Sequence, residues 1–114
     1  MRLLAVTIFL SSLMVAPVVL AHAKPQQQSP LANAQVTEAK EIRLQFSETL
    51  EPAFCTLQLF NENGVKITLA KPIIEDKTLF VALPPLTKGR YTVKWSVVSV
   101  DGHRTKSSYH FFVK

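Results

Sequence analysis

From residue 41 onward, apolar and polar positions alternate. Ile42, Leu44 and Phe46 are interleaved with Arg43 and Gln45, the two-residue period of a strand that buries one face. A break over residues 47–52 is followed by a second strand at 54–60, with Cys55, Leu57 and Leu59 on one side. Asn61-Glu62-Asn63-Gly64 reads as a tight turn, because Asn-Gly accepts the positive φ such turns require. Val65, Ile67 and Leu69 form the returning strand, and Ile73 and Ile74 make a short apolar patch before a charged turn at Glu75-Asp76-Lys77. Leu79, Val81 and Leu83 alternate until Pro84-Pro85 stops the strand. Residues 86–89 connect to the longest run: Tyr91, Val93, Trp95 and Val97. A loop at 99–104 leads to a last strand at 108–113, with Tyr109, Phe111 and Val113 on one face.

These patterns predict six strands, and an edge strand near Val36 brings the expected total to about seven. No long stretch carries a helical period. Short strands at this spacing, punctuated by turn residues, predict an all-β sandwich with Greek-key connections. Residues 22–35 are polar and contain Pro25 and Pro30, so they are expected to run as an irregular, extended lead-in.

The front of the chain has a different character. Arg2 supplies a positive charge, and residues 3–20 are apolar apart from Thr7, Ser11, Ser12 and Pro17. Val19 and Ala21 are small residues at the positions a signal peptidase reads, which predicts a leader over residues 1–21 and a mature domain over 22–114 beginning at His22. Two alternatives fit the same letters. Ala21-His22-Ala23 also permits a cut after Ala23, which would discard His22. The apolar run is also just long enough for an uncleaved anchor. Pro17 and the polar residues that follow favour cleavage.

A chain of 114 residues carries one small domain beyond such a leader. The formal net charge is +5, but the basic residues are scattered without a run of Lys or Arg. Nucleic-acid surfaces are marked by clustered basic residues, so no nucleic-acid partner is expected. With a single cysteine, Cys55, an exported chain has no internal disulfide framework. Both methionines, Met1 and Met14, fall in the leader.

Candidate chemistry concentrates at Asp101-Gly102-His103. A carboxylate and an imidazole two residues apart can converge at a strand end, with Gly102 allowing the bend. Two such ligands hold a divalent metal poorly, and the sequence offers His22 as a third. As the first residue of a mature chain, His22 presents both an α-amine and an imidazole, which together close a chelate ring. Three nitrogens and one carboxylate oxygen in a tetragonal plane suit Cu(II), whereas zinc would draw the same groups into a tetrahedron. Equally, Asp101-Gly102 reads as an ordinary turn. Cys55 is expected as a small buried hydrophobe, His110 as an exposed strand residue, and Tyr91 and Trp95 as core.

Several blocks, in this order, resemble the CopC family of periplasmic copper-binding proteins, most closely its short members. His22-Ala23 follows a leader directly. Ser29-Pro30-Leu31-Ala32-Asn33-Ala34-Gln35-Val36 resembles the family's Pro-Ala-x-x-Ala lead-in, and Leu44-Gln45-Phe46-Ser47-Glu48 its Phe-Ser-Glu motif. Gly89-Arg90-Tyr91-Thr92-Val93-Lys94-Trp95, followed by Val97-Val98-Ser99-Val100-Asp101-Gly102-His103, resembles its most specific block.

The resemblance implies an immunoglobulin-like Greek-key β-sandwich holding one Cu(II) per chain on His22, Asp101 and His103. Glu48 matches a family glutamate near the copper, where it would orient ligands or bind weakly along the axis. Some members also bind Cu(I) through methionines; a mature chain without methionine lacks those soft ligands. Arg104 stands where many members have proline, and Pro25 where leucine is common. The implied role is to buffer, store or deliver copper in the periplasm as a monomer, alongside an inner-membrane transporter of the CopD type, with no reaction catalysed. Two rivals remain: a copper redox enzyme in which an N-terminal histidine chelates the metal with a second histidine, and a metal-free exported interaction module.

Overall fold

The computed structural model describes residues 22–114. The expected leader and its cleavage after Ala21 lie outside the described residues. Among the described residues, nine strands form two sheets. In chain order they are β1 (Pro25–Ser29), β2 (Gln35–Val36), β3 (Glu41–Phe46), β4 (Thr56–Phe60), β5 (Lys66–Ile67), β6 (Ile73–Glu75), β7 (Thr78–Ala82), β8 (Gly89–Val98) and β9 (Arg104–Val113), with a single 3-10 turn at Pro52–Phe54. One sheet has the order β1-β3-β7-β6 and the other β2-β9-β8-β4-β5. Successive pairs cross from sheet to sheet, which is the expected Greek-key sandwich.

The alternating residues meet between the sheets. Ile42, Leu44, Phe46, Leu79 and Val81 from the first sheet face Leu57, Leu59, Tyr91, Val93, Trp95, Val97 and Phe111 from the second, all buried. Phe46 meets Trp95 edge to face at 5.0 Å, and Tyr91 stacks on Phe111 at 5.6 Å, both favourable aromatic arrangements. Tyr91 keeps its hydroxyl satisfied by donating to the Thr87 carbonyl at 2.6 Å. This tyrosine corner fixes the crossover that feeds β8.

The lead-in departs from expectation. Residues 25–29 are not irregular: they pair antiparallel with β3, Gln28 opposite Leu44 and Ser29 opposite Arg43. Pro25 opens the strand beside a bulge, where an edge position tolerates its missing donor. The edge strand near Val36 exists, but it runs parallel to β9, Val36 against Val113. Residues 73–75 form a further edge strand against β7, and these short edges raise the strand count above seven. The last strand begins at Arg104, well before 108, and pairs with β8 along its whole length, Arg104 opposite Val98 and Val113 opposite Gly89. The Asn61–Gly64 turn closes on the Asn61 side chain, whose Oδ1 accepts from the Asn63 and Val65 amides. Gly64 supplies the positive φ, 76°.

Candidate metal site

The β8–β9 loop is a tight hairpin end with an interior of its own. Ser99 is 1% exposed, while Asp101 and Gly102 are exposed. The Ser99 amide donates to the His103 carbonyl at 3.0 Å, and the Gly102 amide to the Ser99 carbonyl at 2.8 Å. Gly102 has φ 89°, so the bend anticipated from its lack of a Cβ is present. The loop is also tied sideways: the Val100 amide donates to the Thr49 carbonyl, the Glu51 amide to the Val98 carbonyl, and Leu50 bridges Ser99.

This frame divides the labour of the Asp101 carboxylate. Oδ1 accepts from the Ser99 hydroxyl and from the His103 amide at 3.3 Å. Oδ2 faces the His103 ring, 3.0 Å from Nδ1. The Ser99 hydroxyl first, and the imidazole second, hold the Asp101 carboxyl well below its ordinary value, at about 2. The group is therefore an anion throughout the neutral range, as a metal ligand must be.

His103 Nδ1 is shielded from solvent and, among the described residues, meets no partner with hydrogen-bond geometry. Its approach to Asp101 Oδ2 is close in distance but not aligned for an N–H donor. The atom's nearest polar neighbour is thus the Asp101 carboxylate, and a metal ion is one group that would engage both. Donor atoms on adjacent corners of a square plane, with bonds of ~2.0 Å, lie ~2.8 Å apart. The 3.0 Å between Oδ2 and Nδ1 lies between that spacing and the ~3.3 Å of a tetrahedron, so both atoms can reach one ion without the distance choosing its geometry.

His22 approaches from the other sheet. Its ring lies 5.1 Å from that of His103, inclined at 69°. Ser47, immediately after β3, positions it: the Ser47 hydroxyl donates to the His22 carbonyl at 3.3 Å and accepts from the Lys24 amide at 2.9 Å. The Ser47 amide donates in turn to the Lys24 carbonyl. Ala23 is fully buried in the core, so a small side chain plugs the arm in place while His22 remains half-buried.

His22, Asp101 and His103 thus share one end of the sandwich. They do not yet converge on a point: among the described residues, no three His, Cys, Asp or Glu side chains are closed around a common centre. Glu48 sits between Ser47, which holds His22, and Thr49, which holds Val100. It is half-buried, and no hydrogen bond or ion pair joins its carboxylate to either histidine among the described residues. Arg104, in place of the family's proline, donates to the Ser96 hydroxyl at 2.6 Å and the Phe54 carbonyl at 3.5 Å, and so restrains the loop exit by other means. Cys55 and Tyr91 are buried and His110 is exposed, as expected. Ser47 and Ser99 position these groups, and their signal in the sequence is a serine in the same motif as Glu48 or Asp101.

Comparison with known proteins bears on the family and the fold. Residues 25–114 match the CopC domain. The chain is 48% identical to Protein YobA of Escherichia coli K12 over 110 residues, covering 92% of this chain and 89% of that one. It is 35% identical to Copper resistance protein C of Xanthomonas campestris pv. juglandis over 103 residues, covering 82% and 81%. The crystal structure of CopC from Methylosinus trichosporium OB3b superposes with a TM-score of 0.74 at 27% identity, covering 82% of this chain and 94% of that one. The domain match begins after His22. With a matching domain over most of its length, a 48% identical relative and a shared sandwich, the chain belongs to the CopC family.

Proposed function

We propose that the mature chain is a periplasmic Cu(II)-binding protein that buffers, stores or delivers copper. One ion is held by the His22 amine and imidazole, Asp101 and His103. The observation that carries this reading is the pair Asp101 Oδ2 and His103 Nδ1, 3.0 Å apart, with the His22 ring beside them. The copper resistance function named for the Xanthomonas relative supports the choice of metal. The ligands are nitrogen and carboxylate oxygen, with no thioether in residues 22–114, a donor set that favours Cu(II) over Cu(I). Asp101 would fill an equatorial position that an oxygen-activating site keeps open, so the protein carries copper rather than turning it over. It works as a monomer, and an inner-membrane transporter of the CopD type is the natural recipient or source. Glu48, on the adjacent loop, would orient the ligands or bind the ion weakly along its axis.

Native mass measurement of protein purified from the periplasm, with and without one equivalent of Cu(II), tests the N-terminus and the stoichiometry together. The expected species begins at His22 and gains one copper. A chain beginning at Lys24, or one that takes up no copper, overturns the site. Tighter binding of Cu(I) than of Cu(II) overturns the choice of oxidation state.

A further inference from the structure

The basic residues that are scattered in sequence are gathered by the fold. We propose that the outer face of the five-stranded sheet docks on an anionic phospholipid surface. This goes beyond the copper reading and requires no metal.

Five exposed cations share that face: Lys66 on β5, Arg90 and Lys94 on β8, and Arg104 and Lys106 on β9. The register fixes their placement. Lys66 lies opposite Phe60, Lys94 between Gln58 and Ser108, Lys106 opposite Ser96, Arg90 opposite Phe112, and Arg104 opposite Val98. Residues directly opposite one another share a face, so all of them point away from the core. No strand of this sheet contains an Asp or Glu. Among the described residues the ion pair of a Lys or Arg is Arg43–Glu41, which lies off this face. Arg104 is bonded to the neutral Ser96 hydroxyl and Phe54 carbonyl, and Lys94 lies over the Phe60 ring at 5.0 Å. Glu62, on the β4–β5 loop, reaches only the rim at Gly89.

Lys94 and Lys106 are diagonal neighbours, roughly 7–8 Å apart at the backbone. That is within the ~8 Å Debye length at physiological salt, so their repulsion is incompletely screened. A face that retains such charges without counter-ions is complementary to a polyanion. The choice among polyanions follows from what the face lacks. Stable protein interfaces centre on exposed aromatic or aliphatic anchors. Here Phe60 and Phe112 are partly buried, and the large exposed hydrophobes Leu31, Phe54, Val65, Ile73 and Val100 all lie off these strands. A bilayer carrying anionic headgroups needs only distributed positive charge. His103 directly precedes Arg104, so a chain lying on this face would hold its ligand loop at the edge of the contact.

The test uses the mature chain and sedimented vesicles of phosphatidylglycerol mixed with phosphatidylcholine, against vesicles of phosphatidylcholine alone. Retention is expected only on the anionic vesicles, and is expected to vanish at salt that shortens the Debye length to ~3 Å. Removing two charges in Lys94→Gln/Lys106→Gln should weaken partitioning about 25-fold, roughly fivefold per charge. Lys40→Gln/Lys77→Gln removes the same net charge outside this face and should change partitioning less than about threefold. All four side chains are exposed, and circular dichroism checks that the variants fold. Equal retention on neutral vesicles, or equal losses in the two double variants, overturns the proposal. Absence of retention on anionic vesicles also overturns it, and leaves an acidic protein as the occupant of the face.

Discussion

The two halves of the candidate site are built in opposite ways. Asp101 and His103 belong to a hairpin end that folds on itself. Ser99 is buried beneath it, two backbone hydrogen bonds close it, and the Thr49 carbonyl ties it to the neighbouring loop. His22 has no such local frame. Its position comes from one hydroxyl, that of Ser47, and from the buried Ala23 beside it. Its proposed amine ligand exists only when the chain is cut at Ala21. One half is specified by short-range sequence, and the other by contacts with β3 and by processing. The comparison predicts that the hairpin supplies ligand geometry and the arm supplies variable occupancy.

The largest effect should come from a ligand in the pre-formed half. His103→Ala is expected to weaken Cu(II) binding by more than ~100-fold, beyond what outer partners are usually worth, measured by competition with a chelator of known affinity. A copper affinity unchanged by this substitution would favour the metal-free rival. Ser47→Ala probes the arm. Loss of its hydroxyl should weaken copper ~10–100-fold and cost ~1 kcal/mol of stability, read as a drop in Tm of several degrees for a domain this small.

The smallest effect is expected at Ser99→Ala. The ligands remain, but the hydroxyl that most lowers the Asp101 pKa is lost. In the metal-free chain, carboxyl titration by NMR should show Asp101 rising from about 2 toward its ordinary 3.8. The sign follows from linkage. A carboxyl depressed in the folded state favours folding above its unfolded pKa, and loses that contribution as pH falls through about 2. The variant should therefore be less stable than wild type near neutrality, and the difference should shrink as pH falls from 3.8 through about 2. A larger loss of copper affinity at Ser99→Ala than at Ser47→Ala would invert the comparison and make the hairpin the fragile half.

What the sequence disclosed follows which side chains are buried. Strands β3, β4, β7 and β8 place every second residue in the core, and their alternation is plain in the letters. β1 is Pro-Gln-Gln-Gln-Ser, largely exposed. It is a strand because β3 offers it backbone partners, and nothing in its side chains says so. The early part of β9, Arg104 to Ser108, is similarly polar and exposed apart from Thr105, and its pairing with β8 is recorded only in the register. β2 has two residues, too few for any period. Asp101 and His103 were visible as a spacing, and the resemblance gave the spacing its meaning. The roles of Ser47 and Ser99 are not legible in the letters, because a serine's role depends on which carbonyl or carboxylate folding brings to it. The cationic face was invisible for a related reason: its members are spread over β5, β8 and β9, and only cross-strand register makes them neighbours.

The single thiol has a consequence of its own in a chain read as carrying an oxidant. Cupric ion and an accessible thiolate consume each other: the metal is reduced, the sulfur is oxidised, and two chains can be joined through their sulfurs. Cys55 lies on the same β4–β8 side as the ligand hairpin, but it is 9% exposed, with its sulfur turned toward the Glu51 and Val98 carbonyls. Burial pushes its pKa up, which depletes the reactive anion as well as hiding it. The sandwich thereby acts as insulation, keeping the protein's one reductant apart from the cargo it is proposed to hold.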